Sequence, residues 1–316
     1  MADIQTTQNP EMHKDLVLDL IKERRSDRRW KNVRFFAGLI LVVFFLGMAF
    51  FHNTSIVSLS DEKNGYVAFI RLDGEIAPGK EFSAEQVMPE LKDAFSDEYA
   101  KGVVIDINSG GGTPVQASII HDEILRLKKR YHKKVVVVGE DLLASGAYFV
   151  AVSADKIYVN PSSITGSIGV IMQGFGLQDA IKKLGIDRRV ITSGANKDRL
   201  DPFLPQKPED ITKVKTVIEE VHENFNQAVL EGRHGKLHGD LKELFSGDFW
   251  TGTTALKLGL VDGLGNLPDV FQKEFNVSRY RDYTTSNNPF KKLVGQLGST
   301  LDLPLSHADQ HLLEKI

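Results

Sequence analysis

The stretch GEDLLASGAYFVAVSADKIYVNPSSITGSIGV, residues 139–170, decides how the rest of the chain is read. Just before it, KKVVVV (residues 133–138) is a β-branched run of the kind that fills a buried strand. After Ser145, GAYFVAVSAD is small and apolar and reads as a helix buried on most sides. A strand that turns abruptly into a helix at Ala144-Ser145-Gly146 sets a hydroxyl at a helix N-terminus. The backbone N–H groups there, beginning with Gly146, have no intrahelical acceptor, and the helix end favours negative charge. That suits a nucleophile whose attack creates an oxyanion. The competing reading is structural: Ser145 caps the helix.

Strands and helices alternate on either side of this turn. Residues 66–72 (YVAFIRL) read as a strand, closed by Asp73-Gly74. A helix follows over residues 83–95, where Ser83 and Gln86 have capping-box spacing. Residues 102–107 (GVVIDI) form a second strand. The helix over 114–130 has Thr113 as N-cap, Pro114 in its first turn and Gln116 at the third position. Ala117, Ile120, Ile124 and Leu127 give it helical spacing. Further strands are expected at 134–138, 156–159 and 188–191, and helices at 177–184 and 208–230. Such alternation implies a parallel sheet covered on both faces.

The loop Asn108-Ser109-Gly110-Gly111-Gly112-Thr113 ends a strand and opens a helix. Consecutive glycines allow backbone N–H groups to point at a ligand that approaches closely. A phosphate cradle would continue Gly-Lys-Ser/Thr, but Thr113-Pro114-Val115 follows, so a nucleotide loop is disfavoured. A carbonyl-oxygen pocket fits; so does a plain tight turn. The nine histidines carry no signature that places one beside a serine, and they read as surface groups. No metal-ligand spacing is present, and there are no cysteines, which excludes disulfides and thiolate catalysis. A lysine base remains open, since burial can neutralise an ammonium group. Spacing alone does not select one lysine, although Lys197 follows the run RRVITSG.

Residues 35–51 (FFAGLILVVFFLGMAFF) carry no charge. Seventeen residues are at the short end for a membrane span. Residues 22–34 hold seven basic groups against two acids, whereas residues 52–63 hold one Lys and two acids. The positive-inside rule then puts the N-terminus in the cytoplasm and the bulk of the chain across the membrane. No small-x-small cleavage pattern follows, so a retained anchor is expected. The 316 residues carry a net charge of −3, which disfavours nucleic acid as a partner.

Four segments in order, VIDINSGGG, LLASGAYFVAVSADKIYVNPSSITGSIGV, ITSGANKD and WTGTTALKLGLVDGLG, resemble signal peptide peptidase A, the family of Ser-Lys membrane peptidases that includes the SohB type. The resemblance covers about residues 66–267. It implies a ClpP/crotonase-like α/β fold with a parallel sheet, here preceded by one transmembrane helix. It implies Ser145 as nucleophile, Lys197 as general base, Ser167 as the serine that orients the lysine, and Gly112 as an oxyanion donor, with Gly146 a second candidate. The family's Ser-Pro-Gly-Gly is replaced here by Ser109-Gly110-Gly111-Gly112. The implied enzyme needs no cofactor and no metal. It cleaves remnant signal peptides and other short or unfolded peptides outside the bacterial inner membrane. It forms homo-oligomers, octameric in the short form, whose neighbours complete each other's sites. The organisation expected is a cytoplasmic segment (1–34), an anchor (35–52), a linker (53–64), a peptidase domain (65–274) and a tail (275–316). The alternatives are an inactive membrane-anchored scaffold of the same fold and a crotonase-like acyl-CoA enzyme. The latter would need neither Ser145 nor Lys197.

Overall fold

The computed structural model describes residues 34–41 and 65–285, which fall in separate units of the chain. Residues 34–41 form a helix, α1, whose Phe35, Phe36, Leu39, Ile40 and Leu41 are exposed. Among the described residues no helix is long and apolar enough to cross a membrane. The rest of the expected anchor, residues 42–52, lies outside the described residues, as do residues 1–33, the linker (53–64) and residues 286–316.

Residues 65–285 are organised around a sheet ordered β6-β5-β3-β2-β1-β8, with β4 paired to β3 and β7 paired to β4. The central strands are β1 (Tyr66–Asp73), β2 (Ala100–Ser109) and β3 (Lys134–Ala144). They are joined by α2 (Ala84–Ser96) and α3 (Pro114–Tyr131) as right-sized crossovers for parallel pairing. After β3 come α4 (Gly146–Ala151), β4 (Lys156–Val159), β5 (Ile164–Gly166) and α5 (Gln178–Lys183). The chain continues through α6 (Pro208–Gly232), α7 (Leu241–Leu244), β6 (Phe249–Thr251) and α8 (Gly252–Lys257), then β7 (Gly263–Leu264), α9 (Leu267–Phe275) and β8 (Tyr280–Asp282). Every pair is parallel except β5 with β6. The expected mixed fold with a largely parallel sheet is therefore present.

Alternation along the strands splits the core in two. Val103, Ile105 and Ile107 face one layer with Ile120, Ile124 and Leu127 of α3, all fully buried. Each such side chain contributes roughly 1.5–3 kcal/mol by leaving water. Val104, Val136, Val138 and Phe69 face the other layer with Val270, Phe271 and Phe275 of α9. Both faces of the sheet are covered, as parallel pairing requires.

Three local expectations give way to tertiary contacts. Ser83 does not cap α2; its Oγ is buried with no hydrogen-bond partner among the described residues. Instead Gln116 Oε1, from the start of α3, accepts from the Ala84 N–H at 2.8 Å. One residue thus serves the neighbouring helix and leaves both capping boxes unformed. Residues 188–191 form no strand, because among the described residues no strand lies beside them to share a ladder; Ile191 is fully exposed. Residues 280–282, assigned to the tail, instead add β8 to the sheet beside β1. Asp97 secures that edge by accepting from the hydroxyls of Tyr66 and Tyr283, with Arg281 3.5 Å away.

Buried charges tie the later elements to the sheet. The fully buried Arg233, at the end of α6, donates to Gly259 O at 2.7 and 3.0 Å and pairs with Asp262 at 2.6 Å. Asp262 also accepts from the Ile157 N–H of β4. Glu274 on α9 receives Lys134 at 2.6 Å, Lys156 at 2.9 Å and the Tyr158 hydroxyl at 2.5 Å. Burial alone would raise this carboxyl; the hydrogen bonds from Lys134, Tyr158 and Lys156 outweigh it and bring it down from 4.5 to about 2. A depressed carboxyl contributes stability that is complete above its unfolded value and is lost as pH falls from 4.5 toward 2. Glu274→Gln is expected to lower the unfolding free energy at pH 7 by on the order of 1–2 kcal/mol, allowing for the exposed lysine heads. Urea unfolding at pH 7 and pH 3 should show the gap between wild type and variant narrowing at the lower pH.

Candidate active site

Ser145 lies between the last residue of β3 and the first of α4, with φ 53° and ψ −124°. A left-handed backbone at a non-glycine residue is strained and persists only where surrounding contacts hold it. Here the Ser145 N–H donates to Gly166 O at 2.8 Å, and Ser145 O accepts from the Phe149 N–H at 3.0 Å. The hydroxyl makes no capping bond to α4, so the structural reading of Ser145 as an N-cap does not hold.

Its position comes from an irregularity in β3. From Ile107↔Gly139 to Ser109↔Leu143, β2 advances two residues while β3 advances four. The bulge at 140–142 is pinned where the Leu142 N–H donates to Asn108 Oδ1 at 3.2 Å. Beyond it β3 leaves β4 and pairs with β5 through Leu142, Leu143 and Ala144. Thr165 Oγ1 fastens the new pairing by donating to Leu143 O at 2.8 Å.

The glycine loop lies against this turn. Gly111 has φ 99°, and a Cβ there would stand 2.6 Å from Gly146 N and 2.8 Å from Ser145 Cβ. Gly112 runs beside Ile76, and a Cβ on it would meet Ile76 O at 2.0 Å. The Gly111 N–H donates to Ser109 Oγ at 3.1 Å. The Gly112 N–H has no acceptor among the described residues. Gly146 opens α4 and so has none within the helix. A Cβ on Gly146 would lie 3.2 Å from Gly112 N, which brings the two amides close together. Two free donors beside a nucleophile can stabilise a developing oxyanion. Ser167 follows Gly166 with φ 50°, its N–H donating to Asp248 O at 2.7 Å. Ser145, Gly112, Gly146 and Ser167 are thus brought to one end of the sheet.

Lys197 is not joined to them by any hydrogen bond or ion pair among the described residues. It is exposed and lines a groove of about 340 Å³ with Arg188, Val190, Leu200, Pro202 and Phe203. Two features were not legible beforehand. His121, read as a surface group, is buried on α3, 2.9 Å from Asp122 and edge-on to Phe149 at 5.1 Å. Asp106 is 1% exposed on β2, on the face shared with Val104. Its Oδ2 accepts from Arg71 Nε at 3.2 Å, and its Oδ1 has no hydrogen-bond partner among the described residues. Burial and then the neighbouring Glu140 push this carboxyl up to about 7, against the pull of Arg71. Asp73, from β1, is raised by burial and by Glu140 as well. No group of His, Cys, Asp and Glu among the described residues has the arrangement of a metal site.

A strand-to-helix turn with a strained serine beside free amides is the architecture of an acyl-transfer site on a parallel α/β sheet. Comparison with known proteins names the family. Residues 127–277 match the model of "Peptidase family S49". A "Putative protease" of Synechocystis sp. is 34% identical over 206 residues, covering 65% of this chain and 72% of that one. A "Putative signal peptide peptidase SppA" of Enterococcus faecium is 28% identical over 232 residues, covering 73% and 66%. A Brucella abortus protein named Na(+)/H(+) antiporter NhaA is 46% identical over 214 residues, which is 66% of this chain but 29% of that protein's length. The chain belongs to peptidase family S49, the signal peptide peptidase A family.

Two changes test the site's physical basis. Gly112→Ala would drive a methyl group into the Ile76 carbonyl and displace one amide donor. Loss of such a donor typically costs about 10²–10³ in kcat, measurable on any peptide the protein cleaves. Asp106→Asn removes a group that holds its proton more tightly folded than unfolded. Such a group stabilises most fully below its ordinary value of 3.8, and the benefit declines as pH rises to about 7. Urea unfolding at pH 5 and pH 8 is expected to show that decline in wild type and a flatter response in the variant.

Proposed function

We propose that this protein is a membrane-anchored serine endopeptidase that uses Ser145 and Lys197 to hydrolyse short or unfolded peptides, remnant signal peptides among them. The observation that carries this reading is the strained Ser145, whose hydroxyl is left uncommitted beside the acceptor-free amide of Gly112. Membership of family S49 supports the same reaction class. Ser145 Oγ attacks the scissile carbonyl while Lys197 Nζ, neutral at that moment, takes the hydroxyl proton. The amides of Gly112 and Gly146 hold the oxyanion. Collapse breaks the C–N bond, and the leaving amine receives the proton from Lys197. Water then attacks the acyl-enzyme with Lys197 again as base, releasing the acid and restoring Ser145. Ser167 orients the lysine.

Lys197 is exposed and unconnected to Ser145 within one chain, which favours a homo-oligomer in which one subunit's lysine serves its neighbour's serine. The exposed apolar side chains of the same segment, Ile171, Phe175, Leu184 and Ile191, support assembly. The uncharged run at 35–51 and its basic flank support a single span, with residues 1–34 cytoplasmic and the peptidase domain outside.

The test is hydrolysis of a fluorogenic peptide by the full chain in detergent. Ser145→Ala, Lys197→Ala and Lys197→Arg are each expected to lose on the order of 10⁴ in rate, since Arg stays protonated. Wild-type activity should rise with pH from the acid side. Co-assembled Ser145→Ala and Lys197→Ala chains should recover activity that neither has alone. An active Lys197→Arg protein would rule out a lysine base, and an active Ser145→Ala protein would rule out the nucleophile.

A further inference from the structure

We propose that Arg199 is a positioning residue for Lys197, acting with Asp210 and the Asp198–Lys207 pair to fix the loop that carries the base. The inference rests on the reading of Lys197 as base. It concerns what holds that side chain in place before a serine or substrate arrives.

The loop has little of its own to define it. Residues 193–201 form no helix or strand, and residues 191–197 are all exposed. Weak turns provide the backbone bonds: the Lys197 N–H donates to Gly194 O at 3.2 Å, and the Asp201 N–H to Asp198 O at 3.2 Å. Side-chain contacts supply the rest, and they fall on the residues flanking Lys197. Arg199 Nη2 donates to Asn196 Oδ1 at 3.0 Å, on one side of the lysine. Lys207 Nζ donates to Asp198 Oδ2 at 3.0 Å, on the other. Arg199 also reaches Asp210, with Nε 2.7 Å from Oδ1 as an ion pair lacking hydrogen-bond alignment.

Asp210 makes this more than a surface contact. It sits in the first turn of α6, its side chain only 8% exposed, so the loop is anchored to a long helix rather than to another loop. A carboxylate that far from water is held in place by its counter-ion. Arg199 spans two acceptors because its guanidinium is a planar fork; a lysine could meet one of them at a time. The ends of the Lys197 peptide unit are therefore fixed relative to α6 within a single chain, whichever chain's serine the lysine serves. A general base works only within a narrow distance of its proton, and a displacement of about 1 Å costs roughly 10²-fold.

The test compares wild type with Arg199→Ala, Arg199→Lys and Asn196→Ala in the full-length protein, on one fluorogenic peptide. Thermal midpoint and oligomer size are recorded for each. Arg199→Ala is expected to lower kcat by about 10–100-fold with KM within about threefold. The split between kcat and KM separates lost positioning of the base from a lost substrate contact. Arg199→Lys, which retains the charge opposite Asp210, should recover part of kcat. Should Arg199→Ala fail to fold, Arg199→Lys and Asn196→Ala carry the comparison, each with reduced kcat and KM within about threefold of wild type. Wild-type kcat in folded Arg199 variants would overturn the proposal. So would a loss confined to KM, which would make Arg199 a substrate contact. Lys197→Ala separates the two levels. If it stays active, the base assignment falls and this inference with it; if it is dead while the Arg199 variants are normal, only this inference falls.

Discussion

The bulge at residues 140–142 is the constraint on which the site depends. A regular β3 would continue beside β4 and deliver Ser145 to the wrong edge of the sheet. Two extra residues let the strand change partner from β4 to β5 while keeping its parallel bond to β2. Bulges bend a strand and increase its twist, which is how a sheet re-aims a side chain. Here the re-aimed residue is the serine, and the strand it turns toward supplies Gly166 O as acceptor for the Ser145 N–H. The glycine loop meets the turn because β2 ends at the same level. Three separate stretches of sequence therefore converge through one irregularity.

Around that irregularity the protein spends its buried charge sparingly. Arg233, Glu274 and Asp97 each sit where a later element joins the sheet, and each is met by several partners. A buried ion is tolerated when its hydrogen bonds are complete. Asp106 differs: one oxygen has no hydrogen-bond partner among the described residues, and burial, with Glu140 nearby, raises its carboxyl to about 7. It stands two residues before Asn108, which pins the bulge. Ion pairs are also concentrated on the segment that carries Lys197, where Arg188–Asp201, Asp198–Lys207 and Arg199–Asp210 lie close together.

The parallel core was legible because it is written in local pattern. The runs at 66–72, 102–107 and 134–138 are strands, and α3 presents Ala117, Ile120, Ile124 and Leu127 as its spacing predicts. The serine turn was legible because a β-branched run meets a small apolar one at Ser145. What was not legible is long-range. Gln116 abandons its own helix for the Ala84 N–H, a choice fixed only once α2 and α3 are packed. Residues 188–191 have strand composition but, among the described residues, no strand beside them. His121 looks like any helical histidine until Phe149 covers it. Lys197 came from family resemblance alone; its spacing from Ser145 carries no information when the two sit on separate parts of the fold.

The pairing of β8 with β1 also fixes how the domain bears load. The two strands are parallel neighbours, and the described chain enters at the start of one and leaves at the end of the other. Tension applied through those two points would slide the strands lengthwise past each other. The Val67 N–H to Arg279 O, Tyr283 N–H to Phe69 O and Arg71 N–H to Thr284 Oγ1 bonds would then be stretched together rather than opened one by one. Shear of that kind resists rupture far better than peeling. A domain tugged from its two ends would hold its sheet, because the pairing of β1 with β8 takes the load before any element that lies between them in sequence.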